Sequence, residues 1–328
     1  MSAPAHPFDG LTPDAVVDAI ESTGRVCDLR VFALNSYENR VYQVGIEGGA
    51  PLVAKFYRPH RWSDATIREE HAFARELLEA ELPVVAPLAA DDGETLLRHG
   101  EFRFALYPRV GGHVPDLDQP EQLLSLGRIL GRLHAIGASR AFAERPAIDV
   151  EGYAVASRRL IGRDFIPPEL SGAYASLCDA LIERLGARFC PAGTIRTHGD
   201  LHPGNILVRD GALCLVDLDD CRSAPAIQDL WMLLSGDRPT QLAQLQEIVA
   251  GYEEFRDFPA AELALIEPLR TLRLMHYAAW LAERWHDPAF PRHFPWFNTP
   301  RYWSDHILEL REQLAALDEE PLALPRWN

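Results

Sequence analysis

Lysine is almost missing from this chain of 328 residues: of its 32 basic residues, 31 are arginine and one, Lys55, is lysine. A guanidinium serves nearly everywhere on a surface, but it is a broad planar fork. A site that needs a compact charge on a slim stem resists the exchange. The survivor therefore marks either an accident of composition or such a site. Cysteine is scarce too. The five at 27, 178, 190, 214 and 221 form no CxxC pair, and their odd number argues against a disulfide framework. No stretch approaches the roughly 18 uninterrupted apolar residues of a spanning helix. Basic residues are outnumbered 48 to 32, and a net charge of −16 repels phosphate backbones and anionic lipid. Neither nucleic acid nor membrane is expected as a partner. The opening MSAPAHPFDG lacks a basic n-region and an apolar h-region, so no leader is expected, and the expected compartment is the cytoplasm.

What is present reads as a globular chain, 47% apolar and 24% charged, long enough for about two domains of roughly 150 residues. Residues 12–24, opening on Thr-Pro-Asp and closing on glycine, predict a capped short helix. Three β-rich runs follow at 26–34, 40–46 and 51–57, the last (PLVAKFY) placing Lys55 on a strand. Residues 63–81 predict a long helix with Ser63 as N-cap. Short strands near 95–98 and 101–107 end at Pro108, and Gly111-Gly112 suits a hinge. From Pro120 helical patterns dominate, and the only clear later strands flank 206–216. The expected division is residues 1–108 and 109–328.

The segment HGDLHPGNILVRDGALCLVDLDD (198–220) carries the chemistry. Ile206–Val208 and Leu213–Val216 are apolar runs joined by Arg209-Asp210-Gly211, a hairpin signal. Antiparallel pairing brings Asn205 and Asp217 to the same open end, with backbones roughly 5 Å apart. An amide oxygen and a carboxylate there are hard ligands that suit Mg²⁺. Asp200 lies in a loop rich in glycine and proline, where it can be aimed at a substrate. His198 and His202 lack a convincing third and fourth ligand for zinc.

Asp-x4-Asn, a hairpin and a second Asp match the catalytic and magnesium loops of protein kinases. The chain resembles the aminoglycoside/choline phosphotransferase branch of that fold. More narrowly, over nearly its whole length, it is similar to the YihE-type bacterial stress response kinases. LNSYENRVYQV (34–44), VAKFYRPHRW (53–62), HGDLHPGN (198–205), VDLDD (216–220), QDLWMLL (228–234) and DPAFPRHFPW (287–296) carry the resemblance, in order. It implies an α+β, bilobal protein-kinase-like fold. Residues 1–108 would form a small nucleotide-binding lobe and 109–328 a mostly helical catalytic and acceptor-binding lobe.

The resemblance also implies ATP as co-substrate and an explanation of the lone lysine: a strand lysine on the α/β-phosphates, paired with a glutamate of the next helix. Glu69 and Glu70 both qualify. Helical phase puts Glu70 among Ile67, Ala74, Leu77 and Leu78 on the apolar face, where a carboxylate needs a partner. Asn205 and Asp217 are the implied metal ligands. Asp200 would orient the acceptor hydroxyl and take its proton late, since a carboxylate of pKa about 4 cannot deprotonate an alcohol beforehand. The strand ending at Tyr107 would lie beside the adenine. No GxGxxG is present; the turn Asn35–Asn39, with the Ser36 hydroxyl, is the implied phosphate cap or else an ordinary polar turn. Asp229 is either a brace for the catalytic loop or a helix N-terminal acid. Asp219 is open between a supporting group and a solvated charge; Asp220 is expected to be solvated.

The implied acceptor is a serine or threonine of a protein, and Arg158, Arg159 and Arg163 within 152–172 form a basic cluster suited to an acidic polypeptide. A small-molecule kinase acting on an aminoglycoside, choline or homoserine is the alternative. The acidic charge favours it, as would the aromatics from Trp280 to Trp303 if they formed an ammonium cage rather than core. A silent nucleotide-binding module is the third reading. The oligomeric state is not legible.

Overall fold

The structure, a computed structural model, describes residues 7–324; the first six residues of the segment read for a leader lie outside the described residues. In chain order the elements are α1 (Pro13–Glu21), β1 (Cys27–Ala33), β2 (Arg40–Ile46), β3 (Leu52–Phe56), α2 (Asp64–Glu79), β4 (Leu97–His99), β5 (Phe102–Pro108) and α3 (Pro120–Gly137). Then come α4 (Ala156–Asp164), α5 (Pro168–Arg188), β6 (Ile195–Thr197), β7 (Ile206–Arg209), β8 (Ala212–Leu215) and β9 (Arg222–Ala224). Four helices complete the described chain: α6 (Arg238–Tyr252), α7 (Ile266–Glu283), α8 (Ala289–His293) and α9 (Pro300–Ala316). No helix among the described residues is long and apolar enough to cross a membrane.

The described residues divide into two compact units. One holds residues up to Asp116 together with Phe142–Arg145 and Pro203–Cys221. Its centre is an antiparallel sheet of order β1-β2-β3-β5-β4. Side chains alternate across a strand. Ala54, Phe56, Phe104 and Leu106 therefore share one face and pack with Val16, Ala19 and Ile20 of α1. Lys55, Tyr57, Ala105 and Tyr107 take the other face, where Ile67 of α2 packs. Helix α2 is capped as expected, Ser63 Oγ accepting from the Thr66 N–H at 3.1 Å. Its buried face carries Ile67, Glu70, Ala74 and Leu77, whereas Leu78, expected there, is exposed.

The β7–β8 hairpin groups with this first unit, although the division at 108/109 placed it in the second lobe. Val85 N–H donates to Leu215 O at 3.0 Å, and His113 and Val208 exchange backbone bonds of 3.0 and 2.7 Å. Gly112 is held where a Cβ would come 2.8 Å from Val208 O, so this glycine permits a close approach. The second unit comprises Leu117–Ala141, Pro146–His202 and the residues from Arg222 onward. It contains a ribbon that the sequence pattern does not announce, β6 paired with β9. Its three-residue strands are too short to show a period. The C-terminal aromatics are mostly core: Phe290, Phe297 and Trp303 are buried and meet Trp280, Trp285 and Tyr302 edge to face or tilted.

Candidate active site

In the first unit Lys55 is enclosed by carboxylates. Its Nζ lies 2.9 Å from Asp217 Oδ1, 3.1 Å from Asp219 Oδ1 and 3.8 Å from Glu70 Oε1. Burial works against its charge, but Asp217, Asp219 and Glu70 outweigh it and hold the ammonium well above the ordinary lysine range. Of the two adjacent glutamates, Glu70 is the one beside Lys55. Burial pushes its carboxyl up to about 7 against the pull of Lys55. Asp219 goes the other way: burial opposes its charge, yet Lys55 and Arg61 hold it at about 2.

Arg61 binds Asp219 and, at 2.7 Å, Asp220, so Asp220 is an ion-pair partner and not a bare solvated charge. Asn39 donates to Asp219 at 3.2 Å and accepts from Arg58 N–H at 3.0 Å, which ties the β1–β2 turn to this cluster. Ser36 sits half-buried in that turn. Behind Lys55, the Tyr57 hydroxyl stands 2.6 Å from His71 Nε2 and 2.9 Å from the Tyr107 hydroxyl. His71 Nδ1 is 2.8 Å from Thr95 Oγ1. Burial and the nearby Lys55 press His71 down to about 3, so it is neutral, with one ring nitrogen a donor and the other an acceptor between Tyr57 and Thr95.

Asn205 and Asp217 close the open end of the hairpin, Val216 N–H donating to Asn205 O at 3.0 Å. Asp217 is left-handed at φ 61°, a conformation that costs a non-glycine residue about 1 kcal/mol. Its side chain is 57% exposed although it bonds the buried Lys55, which leaves an oxygen open to a ligand. Among the described residues no three His, Cys, Asp or Glu side chains converge as a metal cage. An amide and a carboxylate suit Mg²⁺, which keeps water and phosphate in its remaining positions.

The second unit carries Asp200. The loop before it is pinned by Asp229, whose fully buried carboxylate accepts from the His198 N–H at 2.7 Å and the Gly199 N–H at 2.8 Å. Gln228 donates to Gly199 O at 2.7 Å, and His134 Nε2 meets Asp229 at 3.1 Å. Gly199 has φ 84°, a turn only glycine takes at no cost. Asp229 thus braces the loop backbone, one of the two roles open to it from sequence. Asp200 Oδ1 accepts from Arg273 of α7, and His202 Nε2 stands 3.8 Å from Oδ2. Arg273 is a functional candidate that sequence reasoning missed; with 31 arginines in the chain, no signal singles it out. The basic cluster at 158–163 is neutralised locally: Arg158 pairs with Asp179, Arg159 with Glu151 and Arg163 with Asp164.

The family model described as "Phosphotransferase enzyme family" matches residues 29–265. The chain is 46% identical over 326 residues, 99% of each sequence, to the stress response kinase A of Escherichia coli strain K12. The same identity and coverage relate it to the serine/threonine protein kinase RdoA of Salmonella typhimurium. Among solved structures, an amicoumacin kinase, hAmiN, in complex with AMP-PNP and Ca²⁺, superposes with a TM-score of 0.69 at 20% identity, with 90% of each chain covered. That likeness gives the chain an α+β kinase-like fold.

Proposed function

This chain belongs to the phosphotransferase enzyme family and is an ATP-dependent kinase, and we propose that it is a Mg²⁺-dependent serine/threonine protein kinase of the stress response type, acting in the cytoplasm. The observation that carries the site is the sole lysine, buried with Asp217 at 2.9 Å and Glu70 at 3.8 Å. The choice of a protein acceptor is supported by the full-length relatives, one of which is named as a serine/threonine protein kinase.

The roles follow from chemistry and placement. Lys55, oriented by Glu70, holds the α/β-phosphates of ATP as a point charge. Asn205 and Asp217 hold Mg²⁺, which when bound offsets negative charge on the phosphates. The Ser36 hydroxyl and neighbouring amides of the β1–β2 turn cap phosphate oxygens. Asp200, its other oxygen engaged by Arg273, orients the acceptor hydroxyl and receives its proton as the new O–P bond forms and the bond from the γ-phosphorus to the β–γ bridging oxygen breaks, ADP leaving. Little covalent work falls to the protein, so positioning and charge dominate. In this reading residues 1–108 hold the nucleotide, and 109–328 supply the catalytic loop and the acceptor site.

Phosphoamino-acid analysis tests the acceptor. After reaction of γ-labelled ATP with a generic protein substrate, phosphoserine or phosphothreonine is expected with the wild type and none with Asp200→Ala. No protein label, alongside rapid turnover of an aminoglycoside, choline or homoserine, contradicts the proposal.

A further inference from the structure

Glu69, the neighbour that Lys55 does not use, makes a different attachment. Its carboxylate accepts from three successive backbone amides: Ala143 at 2.6 Å on one oxygen, then Glu144 at 2.8 Å and Arg145 at 2.7 Å on the other. Successive amides converging on one anion form a nest, and such charge-assisted bonds are among the strong ones. Phe142, just before them, packs edge to face at 5.3 Å against Phe73, one turn along α2 from Glu69. Arg145, at the other end, turns inward and is buried. Its Nε donates to Cys221 O at 2.8 Å, Nη2 donates to Asp219 O, and Nη1 stands 4.0 Å from Glu70 Oε2. Its guanidinium also covers the Trp62 ring at 4.6 Å.

A ring of contacts therefore closes within the first unit. It runs from Glu69 to the amides of 143–145, from Arg145 to the carbonyls of Asp219 and Cys221, from Asp217 and Asp219 to Lys55, and back through Glu70 to α2. Residues 142–145 lie in the chain between α3 and α4, yet they group with the sheet and α2. We propose that Glu69 is a positioning residue, and that the 142–145 strap it grips is a built-in clamp. The clamp keeps Glu70 and the 217–221 loop in register with Lys55. Since the clamp consists of the chain's own amides, α2 is held in its working place without a bound partner or a modification. The inference rests on the reading of Lys55 as the phosphate-binding lysine.

A single lysine makes the test direct. Trinitrobenzenesulfonate attacks only the free amine, so its rate at Lys55, followed by peptide mass, reports how firmly the carboxylates hold the ammonium; the α-amino group falls in another peptide. Glu69→Gln keeps the shape but loses the charge and one acceptor oxygen. We expect about a tenfold rise in Lys55 reactivity and about a tenfold fall in kcat, the scale of one charged hydrogen bond, with KM for the acceptor unchanged. Arg145→Lys, which replaces the fixed fork spanning two carbonyls with a single point of charge, shifts both readouts the same way. If either variant only melts at a lower temperature, with Lys55 reactivity and kcat as in the wild type, the strap is a structural staple and the proposal fails. Lys55→Arg separates the underlying reading: retained activity there overturns the role of Lys55 itself. Its inactivity beside a normal Glu69→Gln and a normal Arg145→Lys overturns the clamp alone.

Discussion

At Lys55 three carboxylates meet one ammonium in a buried space, and a broad planar guanidinium would place its charge differently among them. Lys55→Arg is therefore expected to lower phosphoryl transfer about a hundredfold while the fold is kept, a loss typical of one electrostatic contact to a reacting group. Steady-state kinetics beside a thermal melt measures it, and near-normal turnover would mean that the lysine is an accident of composition. Asp217→Ala removes the carboxylate proposed to hold Mg²⁺, on a side chain already half open to solvent, so the expected outcome is loss of Mg²⁺-dependent ATP affinity in calorimetry with little change in melting temperature. Arg273→Ala leaves Asp200 without its helix-borne partner. We expect kcat to fall about tenfold with KM for ATP unchanged, since a single charged hydrogen bond is lost on the acceptor side. Lys55, Asp200, Asn205 and Asp217 stood out as candidates because rare composition or fixed spacing singled them out. Arg61, Arg145 and Arg273 did not, because an arginine 73 to 158 residues from its partner leaves no local pattern.

Helix α2 shows how far local signals reach. Ser63 set its start and helical phase chose Glu70 over Glu69, but the same phase put Leu78 on the buried face, where the last turn buries Leu77 and leaves Leu78 exposed. What Glu69 does instead lies 74 to 76 residues away in the chain, beyond any helical period. The next residue on the helix, His71, gives a pH prediction. Its folded pKa is lowered from 6.5 to about 3, first by burial and then by Lys55. Between those values the unfolded chain binds a proton that the native state refuses. Stability is therefore lost as pH falls below 6.5, by about 1 kcal/mol over the first pH unit from this residue. Urea melts at pH 7.5, 6.5 and 5.5 measure the loss, and His71→Gln should show a shallower decline. An identical decline in the variant would place the titration elsewhere. The β6–β9 ribbon was missed for the opposite reason: three-residue strands rich in arginine have neither length nor alternation to read.

For the whole molecule, a net charge of −16 argues against nucleic acid and lipid, whereas the arginines that read as a basic acceptor cluster are paired with carboxylates beside them. A linear division at residue 108 cannot express a unit that also gathers Phe142–Arg145 and Pro203–Cys221. Those two segments join the first unit through backbone bonds to Pro83, Val85 and His113 and through the Glu69 clasp, contacts that follow from tertiary packing alone. The central claim concerns where the phosphoryl group goes, and one mixture decides it. With γ-labelled ATP, Mg²⁺, a generic protein substrate and a panel of aminoglycoside, choline and homoserine together, the label should enter the protein fraction on serine or threonine and vanish with Asp200→Ala. Label entering a small hydroxyl compound, with the protein fraction blank, would contradict the account.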